Sequence, residues 1–295
     1  MSDNLYQPPN SENPGTPPPP PSNSEFRRVQ AANGVSWLTN ALTLFKNNPG
    51  AWISCMLVMI VILFIMLLIP IVQLLGGIAV SIFTGGIMFG CQQVKYGKDF
   101  SMNHLFAGFE KNMNGLIIVG AIYLGGTFVC SAVAFGIASL LGFQPMEIDP
   151  NSITAGKFDA EAYLSSLLLP LLIMLGLMVP VIMAYWFAPA LVMLRGVPPV
   201  DAMKKSFKAC SANMIPFLIY GLVAFIALII VSILTGLVSL IIPVGALSVL
   251  ISIVTNLIIF SILMASIFTS FEDIFPDETP SFPHESDDDS SSLVA

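Results

Sequence analysis

Residues 185–217, YWFAPALVMLRGVPPVDAMKKSFKACSANMIPF, run from an apolar segment through a basic amphipathic one into a second apolar segment. Arg195 ends a long uncharged run, and Gly196, Pro198 and Pro199 break the helix there, which places the break at a membrane surface. A new helix then begins. Val200, Met203, Phe207, Cys210 and Met214 recur at three- and four-residue steps, with Asp201, Lys204, Lys205 and Lys208 on the opposite face. Such a helix is expected to lie in the headgroup plane, apolar side down, with Lys204, Lys205 and Lys208 toward anionic lipid headgroups. The competing reading is a loop helix packed on protein. Asn213 ends the helix and Pro216 opens the next span.

Composition sets the class. Hydrophobic residues make up 55% of the chain and charged residues 10%, with a mean hydropathy of +0.84, where a soluble domain carries about 25% charged residues. The formal charge of −7 is largely a property of the carboxy-terminal segment, since eight of the 18 carboxylates follow residue 271. The 11 basic residues are scattered rather than clustered with aromatics, which gives nucleic-acid binding no support.

Outward from the opening stretch, the chain divides into tails and spans. Residues 1–25, with Pro8, Pro9, Pro14 and the run Pro17 to Pro21, have almost nothing apolar to bury and are expected to be a disordered, partly polyproline tail. The amino terminus has neither the basic start nor the apolar core of a signal peptide. Residues 26–271 are expected to form one transmembrane domain. In it, Val35, Leu38, Leu42 and Phe45 mark a first surface helix, with Trp37 and Trp52 suited to the headgroup belt. Met102, Leu105, Phe106, Phe109 and Met113 mark a second. Spans are expected at about 51–75, 78–94, 114–142, 163–194, 214–239 and 243–271, each long enough to cross the hydrocarbon or nearly so. Gly86 and Gly90 form a GxxxG pair, Pro170, Pro180 and Pro189 interrupt the fourth span, and Pro243 turns the chain between the last two. Residues 272–295 read as an acidic, serine-rich, disordered tail.

Ten of the 11 Lys and Arg residues fall on one side of this arrangement, the exception being Lys157 in a polar loop at 143–162. The positive-inside bias then predicts cytoplasmic termini and an outward-facing loop. Aligning Asn48, Asn112 and Asn213 also aligns Leu42, Phe106 and Phe207 six residues earlier, and each asparagine precedes a span and its hairpin partner. The expected fold is therefore all-α and polytopic, six transmembrane helices arranged as three hairpins, each preceded by an interfacial amphipathic helix.

The segments FRRVQAANGVSWLTNALTLFKNNPGAW, HLFAGFE and YWFAPALVMLRGVPPVDAMKKSF resemble an uncharacterised family of Gram-negative inner-membrane proteins. More distantly, the pattern is similar to YciC-like proteins and to the membrane domain fused to some glycerophosphodiester phosphodiesterases. The resemblance spans roughly residues 26–275 and implies a bacterial cytoplasmic-membrane location. It carries over no catalytic residue, and no phosphodiesterase domain is expected here.

The residues themselves offer little chemistry. His104 and His284 are the only histidines, too few for a histidine-based metal cluster, and His104 is expected on a solvated helix face. Cys55, Cys91, Cys130 and Cys210 have no CxxC spacing and read as packing residues. Phosphate loops and nucleophile elbows are absent, so no catalytic, cofactor-binding or metal site is expected. No span contains an acidic, basic or histidine side chain, where an ion-coupled carrier ordinarily keeps one. Gln73, Tyr123, Tyr185, Ser252, Thr255 and Asn256 are among the polar groups that remain, with Asn256 expected to bond to a neighbouring helix. The leading reading is a non-enzymatic scaffold, assembly or regulatory protein of the inner membrane. A permease or lipid-handling protein would need a cavity bordered by Pro180 and Asn256. An enzyme would need Asp99, His104, Glu110 and Asp201 to converge.

Overall fold

The structure, a computed structural model, describes residues 26–142, 160–241 and 245–276. The readings for the amino-terminal tail, most of the 143–162 loop, the turn at Pro243 and the chain beyond 276 lie outside these residues. Among the described residues every regular element is helical, and six helices are long and apolar enough to cross a membrane.

Helix α1 (Asn33–Asn47) leads into α2 (Pro49–Leu67), the first span. The span stops at Leu67, short of the expected residue 75. Pro70 lacks a backbone donor and instead opens a short helix, α3 (Pro70–Gln73), before α4 (Gly76–Lys95) returns through the membrane. A 3-10 turn (Met102–Phe106) and α5 (Ala107–Lys111) make the second surface element, followed by the third span, α6 (Met113–Leu140). Helices α7 (Ala160–Tyr185) and α8 (Ala188–Arg195) form the fourth. The basic helix is α9 (Pro199–Ala212), and α10 (Met214–Ile241) and α11 (Ala246–Ile274) complete the set.

The fourth span is interrupted, though not where most of its prolines lie. Helix α7 runs through Pro170 and Pro180. The break falls at Trp186 and Phe187, just ahead of Pro189, and one hydroxyl repairs it. The Phe187 N–H donates to Ser206 Oγ at 2.9 Å, and Ser206 Oγ donates to the Met183 carbonyl at 2.7 Å. A donor and an acceptor released by the break are thus satisfied by α9, as buried backbone groups at such a site must be. Helix α8 then ends on Gly196 at φ +62°, a left-handed conformation that favours glycine, with the Val197 N–H returning to the Leu191 carbonyl at 3.2 Å.

The second span is the central one. Helix α4 has the lowest mean hydropathy of the six, 1.3 against 2.1 to 2.9, and is the most buried inside the protein. Helices α2, α6, α8 and α11 and the second surface element all pack on it. A helix that faces protein needs less hydrophobicity than one that faces lipid, and α4 instead offers small residues for close approach. A β-carbon at Gly86 would lie 2.5 Å from the carbonyl oxygens of both His104 and Leu105, and one at Gly90 would lie 2.7 Å from the Phe100 ring. The GxxxG pair therefore seats the second surface element rather than another span.

The surface elements do not lie on lipid as independent amphipathic helices. Each packs under the hairpin that precedes it, and the order is cyclic. The 3-10 turn and α5 sit against α2 and α4, α9 sits against α6 and α7, and α1 sits against α10 and α11. Trp37 and Trp52, expected in the headgroup belt, are each only 1% exposed. Trp37 packs between Phe217 and Tyr220, and Trp52 stacks on Phe100 with ring centroids 4.1 Å apart. Replacing Gly86 with leucine is expected to lower the melting temperature in detergent sharply, since overpacking against backbone costs about 1–3 kcal/mol. Gly125→Leu, where a β-carbon meets nothing within 4 Å, should change it little.

Candidate functional site

The lysine-bearing end of the molecule is where the chain's polar side chains are used. At each passage from a surface element into a span sits an asparagine, and Asn48 and Asn112 share nearly the same backbone conformation, at φ −152° and −151°. Non-helical backbone with a side-chain acceptor is what a helix start requires. Asn48 Oδ1 accepts from the Ala51 N–H at 3.2 Å and Asn112 Oδ1 from the Gly115 N–H at 3.3 Å. In the third copy the equivalent position is Pro216, which has no N–H to offer. Asn213 Oδ1 is thereby free to accept from the Val29 N–H, at 2.8 Å.

The amide nitrogens bind in a circle. Asn48 Nδ2 donates to the Phe100 carbonyl at 3.2 Å, just ahead of the second surface element. Asn112 Nδ2 donates to Val192 at 3.0 Å, ahead of the third. Asn213 Nδ2 donates to Arg27 at 3.0 Å, ahead of the first, and to Ala209 at 2.9 Å. Each asparagine thus holds the lead-in to the next surface element, and the last returns to the first. Seven residues before each asparagine stand Ala41, Leu105 and Ser206, all fully buried. Six residues before stand Leu42, Phe106 and Phe207, all exposed.

The circle closes on the end of α11. The Arg27 N–H donates to the Ile274 carbonyl at 2.7 Å. Asp273 accepts from Asn33 Nδ2 and from Trp37 Nε1, both at 2.8 Å, and Thr269 Oγ1 donates to the Trp37 carbonyl at 2.8 Å. Lys95, at the end of α4, pairs with Glu272. Arg195, at the end of α8, donates to the Phe275 carbonyl at 2.9 Å and lies 5.9 Å from the Phe271 ring centre. Cations that end the first two hairpins thus meet the carboxylates and open carbonyls that end the third, where a helix carboxyl end favours positive charge. Glu272 and Asp273 consequently belong to the folded body, not to an acidic tail beginning at 272. The signal for this was in the sequence, since Phe268, Phe271, Ile274 and Phe275 continue the helical stripe.

The basic helix α9 is divided differently from the pattern expected of it. Its buried face is Ala202, Met203, Ser206, Ala209 and Cys210, mostly small residues that allow close approach to α7 and α8. Val200 and Phe207 are exposed, and so are Lys204 and Lys208. At steps of four, three and one these four residues share an outward face. Lys204 stands 3.6 Å from Asp201, and Lys205 is half-buried.

His104 is not on a solvated face. Its Nδ1 accepts from the Ser101 N–H at 3.1 Å, and its ring lies edge-on to Phe89 and Phe100. Burial first, and the Lys98 charge second, lower its pKa below the usual histidine value and hold it neutral, the form in which Nδ1 can accept. Asp99, in the loop after α4, Glu110 on α5 and Asp201 on α9 are all exposed. Among the described residues no three His, Cys, Asp or Glu side chains are grouped to hold a metal. Cys55, Cys91 and Cys210 are buried free thiols, and desolvation pushes Cys210 up to about 12.

At membrane depth the structure brings Tyr123 and Tyr185 together, ring centroids 4.3 Å apart, with the Tyr185 hydroxyl buried. Asn256 does not reach a neighbouring helix. Its Nδ2 donates to the Ser252 carbonyl of its own helix at 2.8 Å, and it lines an open groove of about 430 Å³ with Leu57 and Ile60. A second groove lies beside Pro180, between α7 and α10. Pro180 and Asn256 therefore border no common cavity among those grooves.

Six crossing helices locked at one end by side-chain amides define a polytopic membrane protein of all-α fold. A curated relative described as a probable inner membrane protein, from Burkholderia thailandensis, is 27% identical over 273 residues, covering 86% of this chain and 95% of its own length. No protein-family model and no solved structure matches the chain at a significant level. Asn213→Ala removes the bonds to the Arg27 carbonyl, the Val29 N–H and the Ala209 carbonyl, where Asn112→Ala removes two, at about 0.5–1.5 kcal/mol for each bond lost. It is expected to lower thermal stability more than Asn112→Ala does and to open the chain near Arg27 to protease; equal melting temperatures for the two variants would contradict the assignment.

Proposed function

We propose that this chain is a non-enzymatic scaffold of the bacterial inner membrane that presents a rigid basic platform to the cytoplasm and holds anionic lipid headgroups through Lys204, Lys205 and Lys208. The observation that carries the reading is the outward face of α9, where Val200 and Phe207 alternate with Lys204 and Lys208 while the opposite face is pinned to α7 and α8. An apolar pair suits the boundary between headgroups and acyl chains, and each lysine near an anionic surface contributes about 1 kcal/mol.

The description of the Burkholderia relative as an inner membrane protein supports that membrane as the location. The wider kinship with YciC-like proteins and the phosphodiesterase-linked membrane domain belongs to the same reading and rests on the segments around Trp37, His104 and Lys204. Support for a non-enzymatic role comes from His104 being tied into the seat of the second surface element. A transport role has less support, because Pro180 and Asn256 sit beside separate grooves.

In vesicles of mixed phospholipid, the wild-type protein is expected to favour spin-labelled phosphatidylglycerol over phosphatidylcholine several-fold. The triple variant Lys204→Glu, Lys205→Glu, Lys208→Glu should lose that preference, and an unchanged preference would remove the lipid role. Orientation has its own test. A Lys204→Cys thiol should react with an impermeant maleimide only after cells are permeabilised, and labelling in intact cells would reverse the platform's side.

A further inference from the structure

We propose that the acidic segment Asp287–Asp289 of this chain docks on the outward face of α9 and covers Lys204 and Lys208, in competition with anionic headgroups. The place where the chain leaves the folded body points to that helix. The Phe275 carbonyl is held by Arg195, and the Phe275 ring lies 6.4 Å from that of Phe26. One residue earlier, the Ile274 carbonyl accepts from the Arg27 N–H. Arg195 ends α8, just ahead of the start of α9 at Pro199, and the Arg27 carbonyl is held by Asn213, which follows the last residue of α9. The exit at Pro276 is therefore tied to both ends of α9.

Charge and reach identify the occupant. Among the described residues the basic end carries ten Lys and Arg side chains against five carboxylates, Asp99, Glu110, Asp201, Glu272 and Asp273. Two of the five are already engaged inside the body, Glu272 by Lys95 and Asp273 by Asn33 and Trp37. Beyond residue 276 stand six carboxylates and no Lys or Arg, three of them consecutive at 287–289. The amino-terminal segment offers no such cluster, since Asp3, Glu12 and Glu25 are widely spaced. Lys204 and Lys208 are exposed one turn apart, and Asp201, 3.6 Å from Lys204, is itself exposed, a pairing that contributes little in water. From Pro276 to Asp287 the chain can extend up to about 40 Å, whereas α9, with 14 residues, is about 21 Å long. The three aspartates can therefore reach any point on the helix, and tethering holds them near it at a roughly millimolar effective concentration. Covering the lysines weakens their attraction for anionic lipid. That consequence rests on the headgroup role proposed above, while the contact itself does not.

Two measurements on the full-length protein test this. In a neutral detergent without lipid, a water-soluble carbodiimide, which joins a carboxylate to an amine with no spacer, is expected to link Asp287–Asp289 to Lys204 or Lys208. Those links should exceed links to Lys46, Lys98 and Lys111, exposed lysines of the same end, several-fold. Raising the salt to about 1 M, where screening acts within roughly 3 Å, should reduce them several-fold. Mixed isotope-labelled and unlabelled protein should show links within molecules only. In vesicles of mixed phospholipid, the triple variant Asp287→Asn, Asp288→Asn, Asp289→Asn should favour phosphatidylglycerol several-fold more than the wild type does. Links spread evenly over all the exposed lysines would mean a tethered acidic segment without a seat, and links between molecules would make a second copy's segment the occupant; either result overturns the proposal. A wild-type preference for phosphatidylglycerol that the asparagine variant leaves unchanged overturns it as well. Selective links to Lys204 and Lys208 with no phosphatidylglycerol preference in either protein would uphold the contact and remove the headgroup role instead.

Discussion

A side-chain amide stands at each point where a surface element turns down into the membrane, and the rest of the architecture depends on what it holds. A helix start leaves backbone N–H groups without partners, and a segment led in from elsewhere leaves carbonyls without partners. Asn48 and Asn112 answer both needs at once, one end of the amide capping the helix and the other gripping a distant carbonyl. In a protein whose spans have few polar atoms, these directional bonds determine which hairpin adjoins which. Apolar helices in lipid gain little from one another that lipid does not already supply.

The consequence is a division of labour along the membrane normal. Polar bonding concentrates at the basic end, around Asp273, Glu272 and the last carbonyls of α11. Away from it the helices are largely exposed apolar surface, α7 and α10 most of all. Helix α4 is the exception, buried from Ser81 to Cys91 and poorer in apolar residues because its neighbours are protein. The resulting body is tied firmly on one side and loosely packed on the other. This suits a platform, and it leaves slots between hairpins that open sideways.

The spans were legible in the sequence because an uncharged run of membrane length is seldom anything but a crossing helix, and the three asparagines could be aligned on spacing alone. Their partners could not be found that way. Spacing gives Asn213 and Asn48 the same position in a repeat, but only the folded chain shows that one grips Arg27 and the other Phe100. Amphipathic periodicity likewise marks a two-faced helix without naming what covers the apolar face. For α9 the covering surface is α7 and α8, and small residues such as Ala202, Ser206 and Ala209 carry that information more faithfully than the larger Val200 and Phe207. Trp37 and Trp52 were misplaced for a related reason: indole at a membrane surface fits a headgroup belt, yet here its length is used to join helices. Asn256 shows the reverse case, a polar residue at depth satisfied by its own helix. The candidate acids Asp99, Glu110 and Asp201 were identified by chemistry alone; in the folded chain Asp99 precedes the second surface element, Glu110 lies within it and Asp201 lies on α9.

The cyclic arrangement also orders events in time. Helix α1 leaves the ribosome before any span, but the surface it rests on belongs to α10 and α11, which are synthesised last. Helix α9 and the second surface element each find their support already in place as they emerge. The first helix alone must wait for almost the whole chain, so the closure that joins Arg27 to Ile274 and Asn213 is a single late event spanning the entire domain. A nascent chain stopped before its last hairpin would carry a helix with Trp37 uncovered, a ready mark by which quality control could distinguish the unfinished protein from the finished one.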